Sequence, residues 1–394
     1  MRLRSRAWLA GDDEVAMAHR VALASAGVRV DAAGTRPIIG IANSASQLNP
    51  CNLPLNELAG PVREGIEQAG GVAVEFPTIS LGEDLMKPSA MLYRNLLSIE
   101  IEEMIRANPL DGIVLLANCD KSVPGAVMGA VSANIPTVLV TGGARPVASF
   151  RGTRIGTGTG LWRLWDERRA GRLDDPAWHE LEQCLSCGLG ACNTMGTAST
   201  MAVLCEVLGL MIPGSSSIPA GDPRSAAAAR LAGGAAVTAV GTGRRPDAIL
   251  TPAAFANAVV ALHAIGGSTN AVIHLAALAG RAGLPFPLAD IRRIGATVPV
   301  LADVEPSGSG LMQDFDAGGG VPSLLSELSG LLEAGALTIT GQTIGEIAAG
   351  AAPPAGAPPA PHAAARSRSP AQPGPGRRHD RRRRRGRLAG TRRP

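Results

Sequence analysis

Residues 112–133 read GIVLLANCDKSVPGAVMGAVSA. Gly112–Leu116 is a short apolar run with β-branched members, and it stops at the polar loop Asn118-Cys119-Asp120-Lys121. From Gly125 to Ala133 small and apolar residues follow helical spacing, so the stretch reads as strand, loop, helix. The same reading fits Pro37–Ala42 followed by Leu53–Ala69, and Val72–Phe76 followed by Ala90–Ala107, while Thr137–Val140 supplies a fourth strand. Strands alternating with helices predict an α/β fold, a three-layer sandwich whose mainly parallel sheet carries helices on both faces. In such sheets ligands bind beyond the carboxyl ends of the strands, and the polar loop at 118–121 falls there.

Further along, residues 151–184 read as a surface excursion with a helix. Thr194–Leu210 and Ala253–Ala282 read as long buried helices, with Gly, Ala and Ser where backbones approach closely.

Composition agrees with a core of this kind. The 394 residues are 45% hydrophobic but include only five Phe, four Trp and one Tyr, so Ala, Val, Leu and Ile must fill the interior. The formal charge of +4 is not evenly spread: residues 351–394 hold 12 Arg and one acid, Asp380, whereas the preceding residues hold 25 basic and 32 acidic side chains. The folded part is therefore acidic, and a nucleic-acid partner is not expected.

From Ala351 the chain lacks apolar periodicity and is built of Ala, Pro, Gly and Arg, a composition that cannot bury enough surface to order itself. The expected division is 1–346 as a folded domain and 347–394 as a disordered tail. A frameshift in GC-rich coding sequence is the preferred origin of that tail, ahead of a basic nucleic-acid arm or a disordered tail without selected function.

No run of about 18 apolar residues occurs, and the amino terminus turns acidic where a signal peptide needs its apolar stretch. The expectation is a cytoplasmic protein without a membrane partner. There, Cys51, Cys119, Cys184, Cys187, Cys192 and Cys205 read as thiols or metal ligands rather than disulfides.

Four motifs carry chemistry. In Asn43-Ser-Ala-Ser-Gln-Leu-Asn-Pro-Cys51-Asn52 a cysteine precedes a helix start, which reads either as a favoured thiolate or as a buried structural thiol. In Asn118–Gly125 a soft sulfur stands beside a carboxylate and an amine; softness matching would send iron to Cys119 and magnesium to oxygen, while the other reading is an Asp–Lys surface pair. Cys184-x2-Cys187-x4-Cys192 lacks the partner ligands of a zinc knuckle, so iron–sulfur ligation from several loops is the better reading. Ser80-Leu81-Gly82-Glu83-Asp84 places carboxylates at the same sheet edge as Asp120, consistent with magnesium or with solvated loop acids.

From Arg4 to about Gly345 the chain resembles the dihydroxy-acid and phosphogluconate dehydratase family. The resemblance is carried by RSRAW, GIANSASQLNPCN, EFPTISLGEDLMKPSAMLYRNL, NPLDGIVLLANCDKSVPGAVMGA, ACNTMGTASTMAVLCEVLGLMIPGSSSIPA, AIGGSTNAVIHLAALAGRAG and LMQDFDAGGGVPSLL. SLGE, MLYRNL and CNTMGTASTM are similar to the branch acting on sugar acids of the arabinonate and xylonate type, more than to the branched-chain amino-acid branch.

The resemblance implies an iron–sulfur cluster on Cys51, Cys119 and Cys192, 2Fe-2S rather than 4Fe-4S. It implies Mg2+ on Glu83, Asp120 and a carbamylated Lys121. Cys184, Cys187 and Cys205 are not implied ligands: Cys205 reads as a helix-buried thiol, and the other two stay open. Gly266–Asn270 and Gly318–Gly320 read as packing and turn segments, and His263 and His274 as satisfied core residues.

The implied reaction removes water from a sugar acid or 2,3-dihydroxy acid to give a 2-keto acid, with the cluster as Lewis acid; the implied assembly is a homodimer or homotetramer. In the family the base is a serine of a β-rich carboxy-terminal domain. The match stops near Gly345, so that domain is expected to be absent, no base is assigned, and the chain is expected to be inactive or nearly so. The alternatives are a dihydroxy-acid dehydratase of branched-chain amino-acid synthesis and a non-catalytic iron–sulfur protein.

Overall fold

The computed structural model describes residues 3–31, 34–186 and 188–351. Cys187 and the Arg-rich stretch from residue 352 lie outside the described residues. Two short helices, α1 (Arg6–Leu9) and α2 (Glu14–Ser25), precede β1 (Ile38–Asn43), α3 (Leu55–Gln68), β2 (Val72–Pro77), α4 (Arg94–Ala107), β3 (Gly112–Leu116), α5 (Ser122–Ala133) and β4 (Thr137–Val140). The strands are parallel in the order β2-β1-β3-β4.

Every residue of β1, β3 and β4 is buried, which is why these strands are unbroken apolar runs rather than alternating ones. α3 buries Leu55, Leu58, Ala59, Val62 and Ile66, one helical stripe, and meets both the sheet and a later helix. Right-handed crossovers carry the chain from β1 outward to β2 and then back past β1 to β3, so α3 takes one face and α4 and α5 the other. The direction reverses between β1 and β3. The carboxyl ends of those two strands therefore open into a crevice.

The first strand runs Ile38–Asn43, one residue later than the Pro37–Ala42 expectation, because proline has no N–H for the ladder; its carbonyl still accepts from Val72 at 2.8 Å. Asp111, at the other end of β3, accepts from the amides of Ile38 (2.8 Å) and Ser5 (2.9 Å), which ties the amino-terminal segment to the sheet. The helix expected from Ala90 opens as a 3-10 turn, Ala90–Tyr93, before α4.

The 151–184 excursion is more structured than its one-helix reading. A hairpin, β5 (Ala148–Phe150) and β6 (Thr153–Ile155), leads into α6 (Thr159–Arg169) and α7 (Asp175–Leu185), around a separate apolar cluster of Phe150, Ile155, Leu173, Ala177 and Leu181. The buried helix expected at Thr194–Leu210 is α8 (Thr197–Val207). Next comes α9 (Pro223–Thr242), the partner of α3, followed by the short α10 (Pro246–Ile249).

The Ala253–Ala282 helix is corrected to two, α11 (Pro252–Ala264) and α12 (Asn270–Arg281). They are separated at Gly266, whose φ of 56° is left-handed and ends a helix without side-chain strain. The described chain closes with α13 (Leu288–Gly295), α14 (Met312–Ala317), α15 (Gly320–Glu327) and α16 (Ile344–Gly350), the last capped by a reciprocal Thr343–Glu346 box.

Candidate active site

The loops leaving β1, β2 and β3 carry Cys51, Glu83 and Cys119 to one edge of the sheet, and an Asn beside each cysteine holds its loop in place. Asn52 is fully buried. Its Oδ1 accepts from the amides of Cys119 (2.7 Å) and Asn118 (3.1 Å) and from the Ser122 hydroxyl, while its Nδ2 donates to Ser44 and Ser80. Asn118 Nδ2 donates to the carbonyls of Cys51 (2.7 Å) and Gly143 (2.9 Å). Asn193 Oδ1 accepts from the Thr157 amide at 2.8 Å and anchors the loop of Cys192.

An Asn offers two donor and two acceptor positions, enough to replace the ladder bonds that stop where strands end. The signal was present in the sequence as Cys51-Asn52, Asn118-Cys119 and Cys192-Asn193, but it was given no role there. Thr157 and Arg145 were missed as well.

Cys51 and Cys119 are buried, Cys192 is half-buried, and all three are free thiols. A hydrogen bond with Cys119, then burial and the nearby charges of Cys119, Asp84 and Cys192, push the Cys51 thiol far up. Burial also raises Cys192, against the opposing charge of Arg145 and a hydrogen bond from Thr157. Burial thus keeps Cys51 and Cys192 neutral, and a soft cation bonding to sulfur would remove the cost of ionising them. The donor set therefore fits an iron–sulfur cluster.

The oxygen ligands stand beside them. Glu83 Oε1 accepts from Ser89 Oγ (2.9 Å) and the Ala90 amide (3.1 Å) and lies 3.0 Å from Lys121 Nζ, which also contacts Asp120. Desolvation works against charge on the buried Lys121, but Asp120 and Glu83 outweigh it and the pKa ends above its usual value. Desolvation likewise opposes the Glu83 carboxylate, and Lys121 and Ser89 more than reverse this, leaving its pKa low.

Among the described residues no three His, Cys, Asp or Glu side chains enclose a single ion. This holds for Cys51, Cys119 and Cys192 as well as for the carboxylates; between Glu83 and Asp120 the Lys121 ammonium itself occupies the cation position. Conversion of that ammonium to an anionic carbamate would turn the occupant into a third oxygen ligand, so the residues fit magnesium in that state. Asp84, read together with Glu83 as a carboxylate pair, points elsewhere: its Oδ2 lies 3.4 Å from Cys51 Sγ and 3.5 Å from Arg145 Nη2.

The Gly266–Asn270 turn also reaches this edge. Asn270 Nδ2 donates to Thr197 Oγ1 at 3.0 Å, and the Ser268 amide donates to Thr200 Oγ1 at 3.1 Å, so α12 starts beside α8, five residues after Cys192. Cys184 is partly exposed on α7, away from these bonds, and burial within α8 pushes Cys205 up to about 12.

His263 is satisfied by the Ile291 carbonyl at 3.0 Å, but the same expectation for His274 is corrected. Its Nδ1 lies 2.7 Å from Arg94 Nη1, and since a guanidinium only donates, the ring proton sits on Nε2, which is buried without a partner among the described residues. Burial, then the charges of Arg94 and Lys121, lower the His274 pKa to about 3.

A folded pKa below the unfolded 6.5 means that the unfolded chain binds the proton first as pH falls. Stability is then expected to drop by about 2 kcal/mol between pH 6.5 and pH 5 from this group alone. Urea unfolding at both pH values checks this; in His274→Gln the drop should shrink by that amount, and an unchanged drop would contradict it.

Residues 36–347 match the family described as dihydroxy-acid/6-phosphogluconate dehydratase, N-terminal. The chain is 43% identical over 341 residues to 6-deoxy-6-sulfo-D-gluconate dehydratase of Pseudomonas putida, covering 86% of this chain and 59% of that one. It is 45% identical over 346 residues to L-arabonate dehydratase of Azospirillum brasilense (87% and 59%), and 38% identical over 323 residues to dihydroxy-acid dehydratase of Chloroflexus aggregans (80% and 57%). It thus spans about three-fifths of the length of the curated relatives it matches. With its parallel sheet and the matched segment covering most of its length, the chain belongs to the dihydroxy-acid/6-phosphogluconate dehydratase family, over that family's N-terminal region.

Proposed function

We propose that the chain is the cofactor-carrying part of a hydro-lyase that dehydrates a sugar acid to a 2-keto acid. The single observation that carries this is that hydrogen bonds tie the loops of Cys51, Cys119 and Cys192 together at the sheet edge holding the Glu83–Lys121–Asp120 cradle, in a chain of the dehydratase family.

In this reading Cys51, Cys119 and Cys192 hold a 2Fe-2S cluster, three cysteines leaving one coordination position open. Glu83, Asp120 and carbamylated Lys121 hold Mg2+. When bound, the cluster supplies a Lewis acid for the leaving 3-hydroxyl, and magnesium a clamp for the carboxylate and 2-hydroxyl. Asn52, Asn118 and Asn193 fix the loops so that both donor sets face the same substrate. Lys121 must lose two protons overall to become a carbamate on reaction with carbon dioxide; Asp120 and Glu83 hold the first in place, so magnesium would have to displace the ammonium charge from between them. The reading assigns the C2 base to none of the described residues.

Sugar acids are preferred over 2,3-dihydroxy-3-methyl acids because the relatives named for sugar acids are 43 to 45% identical and the dihydroxy-acid dehydratase 38%. A cytoplasmic homodimer or homotetramer completes the proposal. Among the described residues no helix is long and apolar enough to cross a membrane.

The test is anaerobic purification with bicarbonate and Mg2+, iron and sulfide analysis, and turnover on aldonic acids and 2,3-dihydroxy-3-methyl acids. Bound iron and sulfide with turnover near background is the expected outcome. Absence of iron would refute the cluster, rapid turnover would place a base within this chain, and preference for the methyl acids would move it to the other branch.

A further inference from the structure

We propose that Arg145 is a positioning residue for the iron–sulfur cluster, donating an N–H···S contact to the ligating Cys51 sulfur while pairing with Asp84. The inference rests on the cluster reading above and adds a residue to it.

Arg145 lies just beyond β4, on a loop that no chemical motif marks. Its Nη2 is 4.0 Å from Cys51 Sγ and 3.5 Å from Asp84 Oδ2, and its Nε donates to the Gly190 carbonyl at 3.3 Å. The backbone makes the same connection: the Arg145 amide donates to Ala191 (2.8 Å), the Ala191 amide to Gly143 (3.0 Å), and the Gly190 amide to Pro50 (3.3 Å). Arg145 therefore joins the loop after β4 to the segment just before Cys192, and the Gly190 amide joins that segment to the one just before Cys51. Its side chain is 18% exposed, against 42% for Asp84.

The chemistry follows from the hydrogen on sulfur. As a thiol, Cys51 donates to the Asp84 carboxylate at 3.4 Å. Ligation to iron removes that hydrogen, and a carboxylate would then face sulfur lone pairs with nothing between them. The Arg145 guanidinium touches both partners, so it can donate to the sulfur and pair with Asp84 at once. Hydrogen bonds and positive charge at a cluster sulfur withdraw electron density, strengthen retention of the ligand and raise the reduction potential.

Arg145→Gln, Arg145→Lys and Asp84→Asn distinguish this from a purely structural stitch, since Gln can still donate to Gly190 but carries no charge. Each full-length variant is reconstituted anaerobically, its fold is checked by circular dichroism, and its midpoint potential and rate of iron loss to a chelator are measured. Arg145→Gln is expected to shift the potential downward and lose iron about tenfold faster. Arg145→Lys should stay near wild type, and Asp84→Asn should move the potential upward.

Equal potentials in wild type and Arg145→Gln, or shifts of the same sign in Arg145→Gln and Asp84→Asn, would overturn the role of Arg145 and leave the cluster reading standing. A wild-type chain that takes up no cluster would overturn both. Should Arg145→Gln fail to fold, the upward shift in Asp84→Asn decides the matter, and its absence refutes the proposal.

Discussion

Replacing Cys119 by alanine is expected to reduce the iron and sulfide of the anaerobically reconstituted chain to about a tenth of wild type or less. Cys119 is 3% exposed, its amide is fixed at 2.7 Å from Asn52 Oδ1, and its thiol donates to Asp120 Oδ1 at 3.4 Å. Among the described residues Asp120 is already paired with Lys121, and Cys51 and Cys192 are themselves candidate ligands.

Cys205→Ala is the matched control. That thiol is fully buried inside α8 and kept neutral by burial alone, so its loss should leave the iron content unchanged, at a stability cost of about 1 kcal/mol. Iron analysis and the visible charge-transfer absorbance read both variants. Wild-type iron in Cys119→Ala would remove the central ligand from the proposed site.

A comparably large effect, on stability rather than binding, is expected for Gly65→Ala. A Cβ on Gly65 would stand 1.9 Å from the Arg230 carbonyl oxygen and 2.8 Å from its carbon, so α3 and α9 would have to separate. Alanine is intrinsically the better helix former by about 1 kcal/mol. Contact with rigid backbone outweighs this, because overpacking of a close helix crossing costs about 3 kcal/mol. The net expectation is a loss of about 2 kcal/mol.

Gly60 lies on the exposed side of the same helix with nothing near its Cβ position, but the ring of the following Pro61 disfavours helical backbone for a residue with a Cβ, so Gly60→Ala should change stability by less than about 0.5 kcal/mol. Urea unfolding with an unchanged slope compares the two. Shifts of equal sign and size would mean that the α3–α9 contact yields more easily than its geometry implies.

Gly112–Leu116 and Thr137–Val140 were legible to the residue because fully buried parallel strands are continuous apolar runs bounded by polar loops, a local property. α5 was legible for the same kind of reason, although its first turn, Ser122–Pro124, was hidden behind the motif residues. Ala253–Ala282 looked like one helix because its apolar spacing survives the turn at Gly266. The break depends on the left-handed backbone there, and on Ser268 and Asn270 finding Thr200 and Thr197. The 151–184 segment misled because its apolar residues close on one another rather than on the main core.

The sequence by itself determined the α/β class, the strand ends at which the candidate ligands lie, and the residue types of the two donor sets, since each follows from neighbours a few positions apart. Only the tertiary structure decided which residues meet. Lys121 bridges Asp120 and Glu83, which lie 37 positions apart in the chain, while Asp84 turns away from its neighbour Glu83 toward Cys51 and Arg145. Arg145, Asn52 and the unpartnered Nε2 of His274 acquire their meaning only once strand order and helix packing bring distant segments together. Contact and desolvation act through space, and sequence spacing constrains them only within a single element.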